Sequence, residues 1–78
     1  MQDLILTVIA EAATDLCWAE YQKEQRIPNV SNLIYELLES CGLKAVTTET
    51  MDKLVYRTSQ YFQNRLLQNR MARSIENG

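Results

Sequence analysis

The sequence predicts an all-α fold of three helices in one small domain, residues 1–78. Only two glycines and one proline interrupt the 78 residues, and the segments between them carry apolar residues at helical spacing. We expect helices over about residues 2–26, 31–41 and 48–74, long, short and long in that order. A chain of this length buries only about 60% of its unfolded surface, so we also expect a stabilising partner.

The first predicted helix has an apolar arc wider than half of its circumference. Its main apolar face, which we expect to point to the core, consists of Ile5, Val8, Ile9, Ala12, Leu16 and Ala19. Leu6, Ala13 and Cys17 extend the arc beyond that face, which predicts a second buried side against a partner. Pro28 disfavours helical backbone at Ile27 and should end this helix.

The second predicted helix has clear start and stop signals. Asn29 and Ser31 are both good N-cap residues, and Gly42 is well placed for a left-handed C-cap. The apolar stripe between them consists of Leu33, Ile34, Leu37, Leu38 and Cys41.

The third predicted helix begins at Thr47 or Thr48 and has a regular inner face only in its first half. That face consists of Met51, Leu54, Val55, Thr58, Tyr61 and Phe62. Farther along, Arg65 and Asn69 occupy positions that should be apolar. The end of the helix therefore either frays or packs against something outside the monomer.

Charge is split along the chain, although the net charge is only −2. Residues 1–39 hold seven carboxylates and two basic side chains, whereas residues 53–73 hold no acid. The basic residues of that second segment are Lys53, Arg57, Arg65, Arg70 and Arg73. They fit three interpretations: a solvated face, contact with the acidic helices of a second subunit, or contact with nucleic acid.

Composition excludes most chemistry. Histidine is absent, and the sequence has none of the glycine-rich phosphate, nucleophile-elbow or paired-cysteine motifs. We therefore predict no enzyme activity, no cofactor and no metal. Cys17 and Cys41 are expected to be reduced thiols that act as small hydrophobic residues. The first apolar run is short and is preceded by Asp3 rather than by Lys or Arg, so we expect a cytoplasmic protein.

The segment from Leu37 to Met51 has some features of a helix-turn-helix motif, with Gly42 in the turn. Leu38 stands where the motif favours a small residue, and Thr48 stands where it favours a β-branched aliphatic residue. A DNA-binding regulator that uses the basic third helix is the main alternative function.

Residues 62–72 carry an F-x-x-R-L-x-x-x-R-x-A spacing, with Phe62, Arg65 and Arg70 among its fixed positions. This spacing resembles the third helix of the theta subunit of bacterial replicative DNA polymerase. Tyr21 followed by Ile27-Pro28 is similar to the first helix and turn of that family. The resemblance implies a small accessory subunit that binds and steadies a proofreading nuclease.

The function we predict is that of a non-enzymatic regulatory or accessory protein, such as an inhibitor, antirepressor or adaptor. It is expected to bind a larger protein and to form a symmetric homodimer through its first and third helices. Trp18 and Tyr21 lie off the main apolar face, either in the core or in the interface. The predicted interface residues are Leu6, Ala13, Cys17, Trp18, Tyr21, Leu66, Leu67 and Met71, with the five basic residues as contacts for nucleic acid or an acidic partner.

Overall fold

The computed structural model describes the backbone over residues 2–43 and 46–77, and the side chains over residues 4–43 and 46–72. These residues form three helices, α1 (Gln2–Glu24), α2 (Val30–Ser40) and α3 (Thr48–Asn77). The described part of the chain contains no strand. The all-α, three-helix prediction is confirmed.

Side-chain caps fix where α2 and α3 begin. The Asn29 side-chain oxygen accepts a hydrogen bond from the backbone N–H of Asn32 at 3.2 Å. The Thr47 hydroxyl oxygen accepts one from the backbone N–H of Thr50 at 3.1 Å. Each cap satisfies a backbone donor that the first turn of a helix leaves unpaired. Of the alternatives that the sequence left open, Asn29 rather than Ser31 caps α2, and Thr47 rather than Thr48 caps α3.

The C-terminus of α2 closes in a Schellman motif around Gly42. Its φ of 77° is the left-handed conformation that glycine adopts without steric cost. The Gly42 N–H donates to the Glu39 carbonyl at 3.1 Å, and the Leu43 N–H donates to the Leu38 carbonyl at 2.9 Å. This confirms the predicted C-cap and turns the chain sharply towards α3.

The first helix ends earlier than predicted. It stops at Glu24, and Gln25 takes a left-handed φ of 60° while its N–H donates to the Tyr21 carbonyl at 2.8 Å. The Gln25 side-chain amide also donates to the Gln22 carbonyl at 2.9 Å. This local capping ends α1 before the steric restriction from Pro28 takes effect.

The first and third helices run parallel and pack directly against each other, and the short α2 packs against both. Arg57 donates to the Thr7 hydroxyl at 2.8 Å, and Arg65 donates to the Asp15 carboxylate at 3.0 Å. The contacts therefore follow the same order along both helices. With 30 residues, α3 spans about 45 Å, whereas the 11 residues of α2 span only about 17 Å. The short helix thus covers only part of α3.

The hydrophobic core lies where all three helices meet. Its buried cluster consists of Ala13, Ile34, Leu38, Met51 and Leu54. On α3 the buried positions continue through Thr58 to Phe62. The inner face predicted for the third helix is therefore confirmed.

The orientation predicted for α1 is wrong. Of the residues expected to face the core, only Ile9 packs against it, and Ile5, Val8, Ala12, Leu16 and Ala19 are exposed. The buried positions are instead Ala10, Ala13, Thr14 and Cys17. These side chains are small, so the α1 backbone can approach α3 closely, whereas a face of Ile, Val and Leu would hold the two helices apart.

Candidate protein interfaces

An uncovered apolar surface lies on the side of α1 that points away from the bundle. This surface, called the outer α1 face, consists of Leu4, Ile5, Val8, Ala12 and Leu16. Leu4, Ile5 and Val8 are each more than half exposed, and Leu16 is 44% exposed. Contiguous apolar side chains of this size are uncommon on the surface of a monomer and mark contacts with other molecules.

Carboxylates border the outer α1 face. Glu11 and Asp15 lie one helical turn apart on the same edge, and both are exposed. Asp15 is paired with Arg65, and Glu20, on the opposite edge, is half-buried. An apolar surface with an acidic border suits an apolar partner surface that carries Lys or Arg at its edges.

Three residues predicted to contact a partner from α1 lie inside the chain. Ala13 and Cys17 are completely buried, and Leu6 is half-buried and packs against the core cluster. Burial raises the pKa of the Cys17 thiol to about 11, and the nearby Glu20 carboxylate adds to the rise. Cys17 is therefore a neutral core thiol, whereas Cys41 is exposed.

Trp18 and Tyr21 pack against α3. Their ring centroids lie 5.7 Å apart, and the Phe62 ring lies 6.1 Å from Trp18 and 5.8 Å from Tyr21. The Arg65 guanidinium covers the Trp18 ring at 5.9 Å. Both residues remain half-buried. Of the two placements left open by the sequence, Trp18 takes the one beneath the third helix, in a cluster that joins α1 to α3.

Most of the basic residues predicted as contacts are engaged within the chain. Lys53 lies 3.7 Å from Glu49, one helical turn away, and Arg57 and Arg65 bind α1 as described above. Arg70 is exposed, and the side chain of Arg73 lies outside the described residues. Two of the basic residues, Arg57 and Arg65, therefore stabilise the packing of α3 against α1.

The C-terminal part of α3 remains helical beyond the end of the bundle. Leu66 is half-buried, and Leu67 and Met71 are both 57% exposed. The helix continues to Asn77. The segment is helical rather than frayed and presents apolar and basic side chains together, and its packing against a partner stays a prediction.

A groove of about 550 Å³ separates α2 from α3. This α2–α3 groove is lined by Ser31, Tyr35, Leu38, Glu39, Leu43, Val46, Thr48, Met51, Asp52 and Val55. Its floor is apolar, and two exposed carboxylates, Glu39 and Asp52, stand on its rim. Its size falls within the range of pockets that accommodate ligands or partner side chains.

The sequence identified most residues of the outer α1 face but placed them in the core, and the α2–α3 groove was not predicted from it. The groove exists because α2 is much shorter than α3 and because the Schellman turn carries Leu43 back over Leu38. The predicted helix lengths already contained this signal, since a short helix cannot cover a long one.

The described residues hold no group of three or more Cys, Asp and Glu side chains arranged to bind a metal ion. None of the helices combines the length and apolar character needed to cross a membrane, over the part of the chain that the structure describes.

The fold and these surfaces define the class: a small three-helix protein with exposed apolar faces and acidic borders. No family model, curated protein or solved structure matches the chain. The resemblance to the theta subunit therefore depends only on the residues quoted for it, of which Phe62 and Arg65 face α1.

Proposed function

We propose that this chain is a non-enzymatic regulatory or accessory protein that binds a larger protein through its outer α1 face. The observation that carries the proposal is the exposure of Leu4, Ile5, Val8 and Leu16 on one continuous side of α1. Leaving these side chains in water forgoes about 25 cal/mol for each Å² of apolar surface that a partner would cover.

The borders of the outer α1 face specify the chemistry of its partner. Glu11 and Asp15 are exposed along one edge, and the centre of the face is narrow at Ala12. A small residue at the centre permits close approach of a helix, and the exposed Glu11 carboxylate attracts a basic one. The partner is therefore an amphipathic helix with an apolar stripe and flanking Lys or Arg residues. An inhibitor, an antirepressor or an adaptor would all bind in this way.

The free state of the two cysteines supports a cytoplasmic location, which is part of this proposal. Cys17 and Cys41 are both free, one in the core and one on the surface. Free thiols persist in reducing compartments, whereas secreted domains of this size usually pair theirs.

Quantitative affinity capture with matched variants tests the proposal. The wild-type chain is compared with the double variant Val8→Glu/Leu16→Glu, which charges the outer α1 face at exposed positions. Ile27→Glu, at an exposed site in the connection after α1, is the control. We expect a protein retained by the wild type and by I27E but lost with the double variant. Equal capture by all three, with circular dichroism showing all three folded, overturns the proposal.

DNA binding by α3 is the weaker alternative. Arg57 and Arg65 already bind α1, and the connection from Cys41 to Thr47 is longer than the turn of about three or four residues in a helix-turn-helix. A gel-shift assay with duplex DNA at low salt decides between the two. Retardation that weakens steeply as salt rises would favour the DNA alternative.

A further inference from the structure

The residues of α3 that border the α2–α3 groove belong to a stripe that continues to the C-terminal part of the helix. This α3 stripe consists of Thr48, Asp52, Val55, Ser59, Leu66 and Arg70. The spacing follows the helical repeat, so these residues share one side of α3. Val55, Ser59 and Leu66 are half-buried, and the other three are exposed. The bundle therefore leaves this side of α3 only partly covered along most of its length.

The two ends of the α3 stripe have opposite charge. Asp52 lies near the start, and Glu39 stands across the groove from it at the end of α2. Arg70 lies near the other end, and no acid occurs from residue 53 to residue 73. One end of the stripe is thus an acidic groove with an apolar floor. The other end is a helix segment with exposed apolar and basic side chains.

We propose that two copies of this chain pair through their α3 stripes in antiparallel orientation. The two-fold axis crosses α3 at the level of Tyr61, because Asp52 and Arg70 are equally distant from that residue along the helix. In this register, Asp52 of each copy lies opposite the partner subunit's Arg70. Val55 lies close to the partner subunit's Leu66, which enters the α2–α3 groove.

This pairing satisfies the requirements of a closed dimer. The contact is isologous, since each copy contributes both an acidic groove and a basic helix segment, so it closes after two subunits. Asp52 and Arg70 lie about 27 Å apart along the helix at 1.5 Å per residue, which gives an interface long enough for standard-sized burial.

The outer α1 face is a poorer dimer contact than the α3 stripe. In an antiparallel pair of α1 helices related by a two-fold axis, like edges meet. Glu11 of one copy would then lie near Glu11 of the other, which is repulsive, whereas Asp15 is already paired with Arg65. The dimer thus leaves both outer α1 faces accessible, and its formation does not depend on the function proposed above.

Reciprocal charge reversal tests the pairing. Sedimentation equilibrium of the full chain is measured from about 1 to 500 μM at low salt for the wild type, Asp52→Arg, Arg70→Asp and the double variant. We expect the wild type to reach twice its chain mass of 9.0 kDa. Each single reversal creates two like-charge contacts in the symmetric dimer and should weaken association by about tenfold or more. The double variant should recover most of the wild-type affinity.

Two further variants separate this arrangement from other dimers and from loss of folding. Glu39→Lys removes an acidic group from the α2–α3 groove, so it should weaken binding of the basic end of the partner's α3. The new cation lies at the C-terminus of α2, where the helix dipole favours it, so the chain should stay folded. Glu11→Arg, on the border of the outer α1 face, should leave association unchanged. The pairing is overturned if the wild type stays at 9.0 kDa throughout, or if folded D52R and R70D dimerise as well as the wild type.

Discussion

The two sides of α1 differ in side-chain size rather than in polarity. The buried side presents Ala10, Ala13, Thr14 and Cys17, all at most 2% exposed. The outer α1 face presents larger apolar residues, Leu4, Ile5, Val8 and Leu16, which stay in contact with water. Tight packing of α1 against α3 favours small residues, because they shorten the distance between helix axes. Large apolar residues left outside are then available for another protein.

Two adjacent alanines of α1, one exposed and one buried, give the largest contrast. Ala13 is completely buried and Ala12 is exposed. Ala13→Asp places a carboxylate in the core without a partner, at a cost of several kcal/mol, enough to unfold a domain of this size. Ala12→Asp should cost less than about 1 kcal/mol, mainly through helix propensity. Thermal and urea unfolding followed by circular dichroism measures both. Similar losses in the two variants would contradict the observed orientation of α1.

Truncation of leucines sharpens the same contrast. Leu54 on α3 is 1% exposed, whereas Leu16 lies on the outer α1 face. Leu54→Ala should lower the free energy of unfolding by about 2–5 kcal/mol, because it removes buried surface and leaves a cavity. Leu16→Ala should change it by less than about 1 kcal/mol while weakening binding to the proposed partner. An L16A variant as unstable as L54A would place the outer α1 face inside the fold.

The buried thiol of Cys17 on the inner side of α1 makes the stability of the fold depend on pH. Because the pKa of Cys17 rises from 9.0 to about 11 on folding, its thiolate favours the unfolded chain. The stability that comes from burying the neutral Cys17 thiol is complete below pH 9. It falls as the pH rises from 9 to 11, by roughly 2–3 kcal/mol in total. In the Cys17→Ala variant, the free energy of unfolding should fall less between pH 9 and pH 11 than in the wild type, because the other titrating groups are unchanged. Urea unfolding at a series of pH values measures the difference.

Thiol labelling with a chromogenic disulfide provides an independent measurement. At pH 8 we expect one rapid reaction per chain, at the exposed Cys41, and a second reaction only as fast as the protein unfolds. Two rapid reactions in the native protein would mean that the inner side of α1 is open to solvent.

The features that the sequence predicts correctly are those that a local rule decides. Gly42 caps α2, and Asn29 and Thr47 begin their helices, because each of these features depends on a few adjacent backbone groups. The inner face of α3 was equally predictable through Phe62, since a single apolar stripe is followed there by polar residues.

The orientation of α1 was not predictable by the same means. Its apolar residues extend around most of the helix, so the hydrophobic pattern does not select one face. The selection depends on how closely α1 approaches α3, a property of the assembled bundle. The α2–α3 groove likewise depends on the relative positions of α2, α3 and the turn at Gly42. Favouring small residues on the inner side would have corrected α1 from sequence alone.

The smallest contrast concerns two buried hydroxyls, Thr14 on α1 and Thr58 on α3. The Thr14 hydroxyl donates to the Ala10 carbonyl at 2.7 Å, whereas the Thr58 hydroxyl has no hydrogen-bond partner among the described residues. Replacing Thr58 with Val removes an unsatisfied polar group at nearly constant shape and should raise the free energy of unfolding by about 1 kcal/mol. Thr14→Val deletes a satisfied hydroxyl, and its carbonyl acceptor keeps its helical hydrogen bond, so we expect a change of at most about 1 kcal/mol in the opposite direction. Urea unfolding of both variants measures the two signs. A destabilised T58V would indicate that the Thr58 hydroxyl makes a polar contact inside the fold, so that the surface between α1 and α3 is less apolar than described.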